Sequence, residues 1–159
     1  MNNIGWAYRP TSVTGAQMNG SFAAAVQLID GHAFIDQYCE ERIAEPAILE
    51  IIGKIQFKHD AELDIAGAAK RHAVKVEART MTGEVMNEYV EQRRGSAERP
   101  LAVNEVEAKF RRTAGAVLQA AAAERLLELV WELDRASNLN ALCELLRGSA
   151  APSGRARLT

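Results

Sequence analysis

The residues that could do chemistry are few and scattered. His32, His59 and His72 lack the HExxH-type spacing that puts two imidazoles one helical turn apart around a metal. Cys39 and Cys143 stand alone, with no CxxC pair, which fits small buried thiols in a reducing compartment better than a disulfide scaffold. Between Asp30 and Glu50 lie Asp30, Asp36, Glu40, Glu41, Glu45 and Glu50 against Arg42 alone. A hard cation needs oxygens converging at compact loop spacing; these acids are spread over two short helices and read as a solvated face. Arg93 and Arg94 beside Gly95 could clamp a carboxylate or phosphate bidentately, or form a solvated hairpin end. No GxSxG, GxGxxG or Walker pattern occurs. Residue types and spacing alone show no catalytic constellation.

The elements that must position such residues are clearer. Thr14-Gly15-Ala16-Gln17 reads as a capping box. Met18, Phe22, Val26 and Ile29 follow on one helical face, and Asp30-Gly31 stops the helix. Pro46 suits a first turn ahead of Ile48, Leu49, Ile51 and Ile52, and Gly53 ends that segment. The period then changes. Ile55 and Phe57 alternate with polar neighbours, as do Val74 and Val76, so both read as half-buried strands. A polar, alanine-rich connector, 60–71, separates them. Met81-Thr82-Gly83 is a turn, and 84–91 its hairpin partner. Asn104 and Glu107 read as a capping pair before Val106, Phe110 and Ala114. Leu126, Leu129, Val130 and Leu133 repeat helical spacing; after Ser137-Asn138, so do Leu139, Leu142, Cys143 and Leu146. Leu127 and Trp131 widen the first of these faces, which calls for more than one neighbour. The expected fold is α+β: a small antiparallel sheet of about three strands covered by helices, then a C-terminal helical segment.

With 159 residues, 48% hydrophobic and 25% charged, the chain matches an ordinary globular composition rather than disorder or a fibre. A net charge of −2 gives no basic footprint, so nucleic acid is excluded as a primary partner. The N-terminus has neither the basic nor the apolar region of a signal peptide. The longest apolar run, around Phe22 to Val26, is far below a membrane span of roughly 18 residues. A cytoplasmic location is expected.

Several stretches, taken in order, resemble the MmgE/PrpD family of 2-methylcitrate dehydratases, cis-aconitate decarboxylases and iminodisuccinate epimerases. They are Gly5-Trp6-Ala7-Tyr8-Arg9-Pro10-Thr11-Ser12-Val13-Thr14-Gly15-Ala16-Gln17-Met18-Asn19, the helix closing on Leu28-Ile29-Asp30-Gly31, and Pro46-Ala47-Ile48-Leu49. The Thr82-Gly83 hairpin, Arg94-Gly95, Pro100-Leu101, Glu107-Ala108-Lys109-Phe110 and Asn138-Leu139-Asn140-Ala141-Leu142 continue the order. Arg99 and Ala102 depart from the Asn and Ser that flank the family's Pro-Leu pair.

The resemblance implies a chain shorter than the family's usual one, in which a large helical domain is followed by an α+β lid and the chain returns to finish the helical domain. Here 5–103 correspond to a lid incomplete at its N-terminal side, 104–147 to the returning helices, and 148–159 to a flexible tail. The implied function is that of the C-terminal part of a lyase or isomerase acting on small di- or tricarboxylates by proton abstraction next to a carboxylate. No family catalytic residue maps onto a position here, so the chain is expected to be inactive alone. The resemblance implies no cofactor and no metal, a small carboxylate substrate once the helical domain completes the site, and a homo-oligomer. Arg9 and Ser12, ahead of a helix start, are the expected substrate-binding residues. The alternative is a non-enzymatic interaction module associating through Leu126, Leu127, Val130 and Trp131.

Overall fold

The computed structural model describes residues 5–65, 67–70 and 72–148; all but the first residue of the expected tail lies outside them. The chain divides into two compact units, Met1–Arg71 and His72–Thr159.

In the first unit, α1 (Val13–Gln17) begins two residues earlier than the Thr14 box suggests, because Ser12 is the cap: its Oγ accepts from the Gly15 N–H at 3.0 Å. The helix does not run on. Asn19 takes an extended conformation, and its Oδ1 accepts from the Phe22 N–H at 3.1 Å, starting α2 (Gly20–Asp30). A short polar side chain that bonds its own main chain competes with helix propagation, so one expected helix becomes two. Gly31, at φ 75°, closes α2 through its N–H on the Gln27 carbonyl, a conformation that favours glycine. A 3₁₀ turn (Ile35–Gln37), α3 (Glu40–Ile43) and α4 (Pro46–Ile52) follow, with Pro46 in the first turn of α4 as expected. Ala16, Phe22, Ala25, Val26, Ile43 and Ile48 form the core, and Tyr8, Tyr38 and Ile55 pack against it. The connector holds α5 (Ala61–Ile65) and a second 3₁₀ turn (Gly67–Lys70).

The strand expected at Ile55 and Phe57 does not form. Ile55 donates its N–H to the Ile52 carbonyl and seals the core, whereas Phe57 is exposed. Alternation marks a strand only where another strand pairs with it, and none among the described residues does so here.

In the second unit, β1 (Val74–Arg79) and β2 (Val85–Val90) make an antiparallel hairpin, with Val74 opposite Val90 and Arg79 opposite Val85. Its turn is fixed by the Thr80 N–H on the Glu84 carbonyl at 2.9 Å and by Gly83 at φ 88°. The fold is therefore α+β, with two strands among the described residues where about three were expected. Strand alternation places Val74, Val76, Ala78, Met86, Glu88 and Val90 on one face; every strand residue but Val90 is exposed.

Three helices complete the unit: α6 (Val103–Ala114), α7 (Ala120–Trp131) and α8 (Asn140–Gly148). The start of α6 lies ahead of the expected Asn104–Glu107 pair. Glu105 Oε2 accepts from the Ala102 N–H at 2.9 Å, so Asn104 and Glu107 lie inside the helix. Among the described residues of this unit, Ala114, Ala123, Leu126 and Leu127 are the buried apolar ones. The expected break at Ser137-Asn138 is present: Asn138 Oδ1 accepts from the Asn140 N–H at 3.0 Å and starts α8.

Candidate functional site: the anchored segment before α1

The segment carrying Arg9 and Ser12 is held at two points. The Tyr8 hydroxyl donates to the Ile43 carbonyl at 2.8 Å, and its ring stacks on Phe22 with centroids 5.4 Å apart. Tyr38 adds a second ring at 5.3 Å from Phe22. Burial raises the pKa of both tyrosines above the ordinary value, because a phenolate loses solvation there. Tyr8 therefore stays a neutral donor. The second anchor is Asn19, which is 1% exposed. Its Nδ2 donates to the Trp6 carbonyl at 2.9 Å while its Oδ1 caps α2, so one buried amide fixes two stretches of chain.

Arg9 follows directly and is exposed; the Thr11 N–H on its carbonyl at 2.8 Å tightens the turn after it. Ser12 is also exposed, with its oxygen engaged as the cap of α1. An Ala-type Cβ at Gly15 would come within 3.1 Å of Ser12 Oγ, so a small residue suits that cap. The structure thus brings Arg9 and Ser12 onto one anchored stretch. A guanidinium on such a stretch can bind a carboxylate bidentately with less ordering cost than one on a free loop. Sequence reasoning missed the anchors. Asn19 carried a usable signal, an N-cap residue type ahead of a helix; Tyr8 carried none, since its partner is 35 residues away.

The other candidates resolve into structural roles. Arg42 joins Asp30 and Glu45, each at 2.6 Å, and ties the end of α2 to the start of α4. Among the described residues, no group of three or more His, Cys, Asp or Glu side chains could hold a metal. His32 bonds the Asp30 carbonyl through Nδ1 at 2.9 Å and lies 3.2 Å from the Gln37 amide through Nε2. In the arginine loop, Arg94 pairs with Glu105, the same carboxylate that caps α6, while Gly95 at φ 85° donates to the Arg99 carbonyl. Glu98 there sits below the ordinary glutamate range, chiefly through a hydrogen bond with its own main chain and another with Ser96.

On the C-terminal helices, Leu126 and Leu127 are buried, whereas Val130 and Trp131, one turn further along, are about half exposed. Trp131 Nε1 donates to Glu107 at 3.0 Å, and Arg111 bridges Glu107 and Glu124. No helix among the described residues is long and apolar enough to cross a membrane.

A model of the MmgE/PrpD C-terminal domain matches residues 1–135. The chain belongs to the MmgE/PrpD family. It is 28% identical over 146 residues to a cis-aconitate decarboxylase-like protein of Aspergillus oryzae, a match covering 91% of this chain and 30% of that protein. It is 29% identical over 149 residues to a cis-aconitate decarboxylase of Aspergillus terreus, with the same coverage. A cis-aconitate decarboxylase of Homo sapiens is 23% identical over 152 residues, covering 94% of this chain and 31% of that enzyme. The chain therefore spans about 30% of the length of these curated relatives.

Proposed function

We propose that this MmgE/PrpD chain is the C-terminal part of a lyase or isomerase that acts on small di- or tricarboxylates by proton abstraction next to a carboxylate, and that it is inactive alone. The observation that carries this reading is the family match combined with a span of about 30% of the decarboxylase relatives. Proton abstraction at such a carbon needs a positioned base, a matched acid and cations for the carboxylates. This chain offers the last of these. Arg9, on its anchored segment, holds a substrate carboxylate, and the Ser12 hydroxyl, whose oxygen already serves the cap, adds a donor. The base and acid come from the part of the family fold outside this chain. We place the protein in the cytoplasm, consistent with the unbridged Cys39 and Cys143.

The purified chain is expected to leave cis-aconitate, 2-methylcitrate and iminodisuccinate unchanged by NMR product analysis. It is also expected to show cis-aconitate-dependent amide shifts around Arg9 that Arg9→Ala removes. Turnover by the chain alone would overturn its inactivity; shifts that survive Arg9→Ala would overturn the binding assignment. A second reading, an interaction module, draws on the half-exposed Val130 and Trp131, although Leu126 and Leu127 of its expected face are buried inside the unit.

A further inference from the structure

We propose that Arg42 is a positioning residue for the Arg9 site: its two ion pairs set the carbonyl that holds Tyr8, and Tyr8 sets Arg9. The role follows from the geometry of the first unit, and its bearing on substrate rests on Arg9 as the carboxylate-binding residue.

Between Asp30 and Glu50, Arg42 is the one Lys or Arg among six acids. Two of those acids converge on it. Arg42 Nη2 donates to Asp30 Oδ2 and Nη1 to Glu45 Oε2, each at 2.6 Å. Asp30 is the last residue of α2, and Glu45 stands just ahead of α4. The three side chains are 25%, 20% and 31% exposed, in the order Arg42, Asp30 and Glu45, so solvent and salt screen the pairs less than on an open surface. The planar guanidinium holds both carboxylates through separate nitrogens, a fork that a lysine ammonium lacks.

The short helix α3 needs such a tie. Its four residues, Glu40–Ile43, are too few to hold helical form by local bonding. Its placement comes from the Ile43 side chain, buried in the core, and from Arg42 beside it. The carbonyls at a helix end have no partner within the helix. That of Arg42 accepts from the Ala44 and Glu45 N–H groups, and that of Ile43 accepts from the Tyr8 hydroxyl at 2.8 Å. Stacking on Phe22 places the Tyr8 ring, but a ring can slide in its plane with little penalty. The directional bond to Ile43 decides where the hydroxyl stops, and with it the main chain at Arg9. A shift of α3 therefore reaches Arg9 through one hydrogen bond.

NMR on the whole chain tests this. Without ligand, Tyr8→Phe is expected to move the Ile43 carbonyl carbon, which loses its donor, and the Arg9 amide. Arg42→Met keeps a long side chain without the charge and is expected to move both signals the same way. Asp30→Asn, a milder change, moves them less, and adding Tyr8→Phe to Arg42→Met moves them no further. With cis-aconitate, each of Tyr8→Phe and Arg42→Met is expected to weaken binding about tenfold, and the double variant also about tenfold rather than a hundredfold, since both break one relay. Circular dichroism checks that each variant is folded. A folded Arg42→Met and a folded Asp30→Asn that lower the urea midpoint but leave the Ile43 and Arg9 signals in place overturn the proposal, as do effects that add in the double variant. A wild type that does not respond to cis-aconitate overturns the assignment of Arg9 to substrate, while the ligand-free signals still decide the role of Arg42.

Discussion

The first unit closes around Phe22, which is fully buried with the rings of Tyr8 and Tyr38 against it, whereas among the described residues the second buries the apolar side chains of Ala114, Ala123, Leu126 and Leu127. The first is also tied by hydrogen bonds between distant parts of the chain, from Tyr8 to Ile43 and from Asn19 to Trp6. The second relies on exposed ion pairs such as Arg111–Glu124 and Arg125–Glu128. Buried area and satisfied buried polar groups supply most of a domain's stability, while exposed ion pairs supply little. The difference teaches that the anchored segment holding Arg9 stands on the more self-sufficient unit. The second unit leaves Val74, Val76, Val130 and Trp131 about half exposed.

Core truncation tests this contrast most strongly. Phe22→Ala should cost about 3–5 kcal/mol, since it removes a fully buried ring and the stack that holds Tyr8. Leu127→Ala should cost about 2 kcal/mol, the low end for leucine, because its side of the core is thin and can collapse. Urea unfolding can separate the two, with Trp6 emission measured in a Trp131→Phe background and Trp131 emission in a Trp6→Phe background. Equal costs would remove the distinction between the units. Next comes Asn19→Ala, which strands the Trp6 carbonyl and uncaps α2 for about 1–2 kcal/mol. It should also weaken the cis-aconitate response at Arg9 and shift Trp6 emission, since the Trp6 carbonyl loses its anchor.

What could be read from the sequence was what local chemistry decides. Gly31 and Gly83 sit where only a positive φ serves, and Pro46 sits in a first turn, so helix ends and hairpin fell where expected. The split at Asn19 was hidden because Met18, Phe22, Val26 and Ile29 keep helical spacing across it, although Met18 is 57% exposed and stands outside α2. The strand at Ile55 failed for the opposite reason: its pattern was right, but a strand exists only through a partner that sequence spacing does not reveal. Arg9 and Ser12 could be picked out by type and position. Their anchoring could not, since it depends on contacts 13 and 35 residues apart.

The smallest effect concerns the ion pairs of the second unit. Arg111 holds the Glu124 carboxyl below the ordinary glutamate range, first through their hydrogen bonds at 2.7 and 3.1 Å. A carboxyl lowered in the folded state gives up its proton more readily there than in the unfolded chain. Its contribution is therefore complete above the unfolded value, about 4.3, and is lost as pH falls through the lowered folded value. Glu124→Gln should flatten the acid side of the urea midpoint curve read by Trp131, with a difference from wild type that shrinks in 1 M salt, where screening acts within roughly 3 Å. Phe22→Ala should shift the whole Trp6 curve by a nearly constant amount at every pH, since it removes packing and no charge. Parallel curves for wild type and Glu124→Gln would mean that the Arg111–Glu124 pair adds nothing to the stability of the second unit.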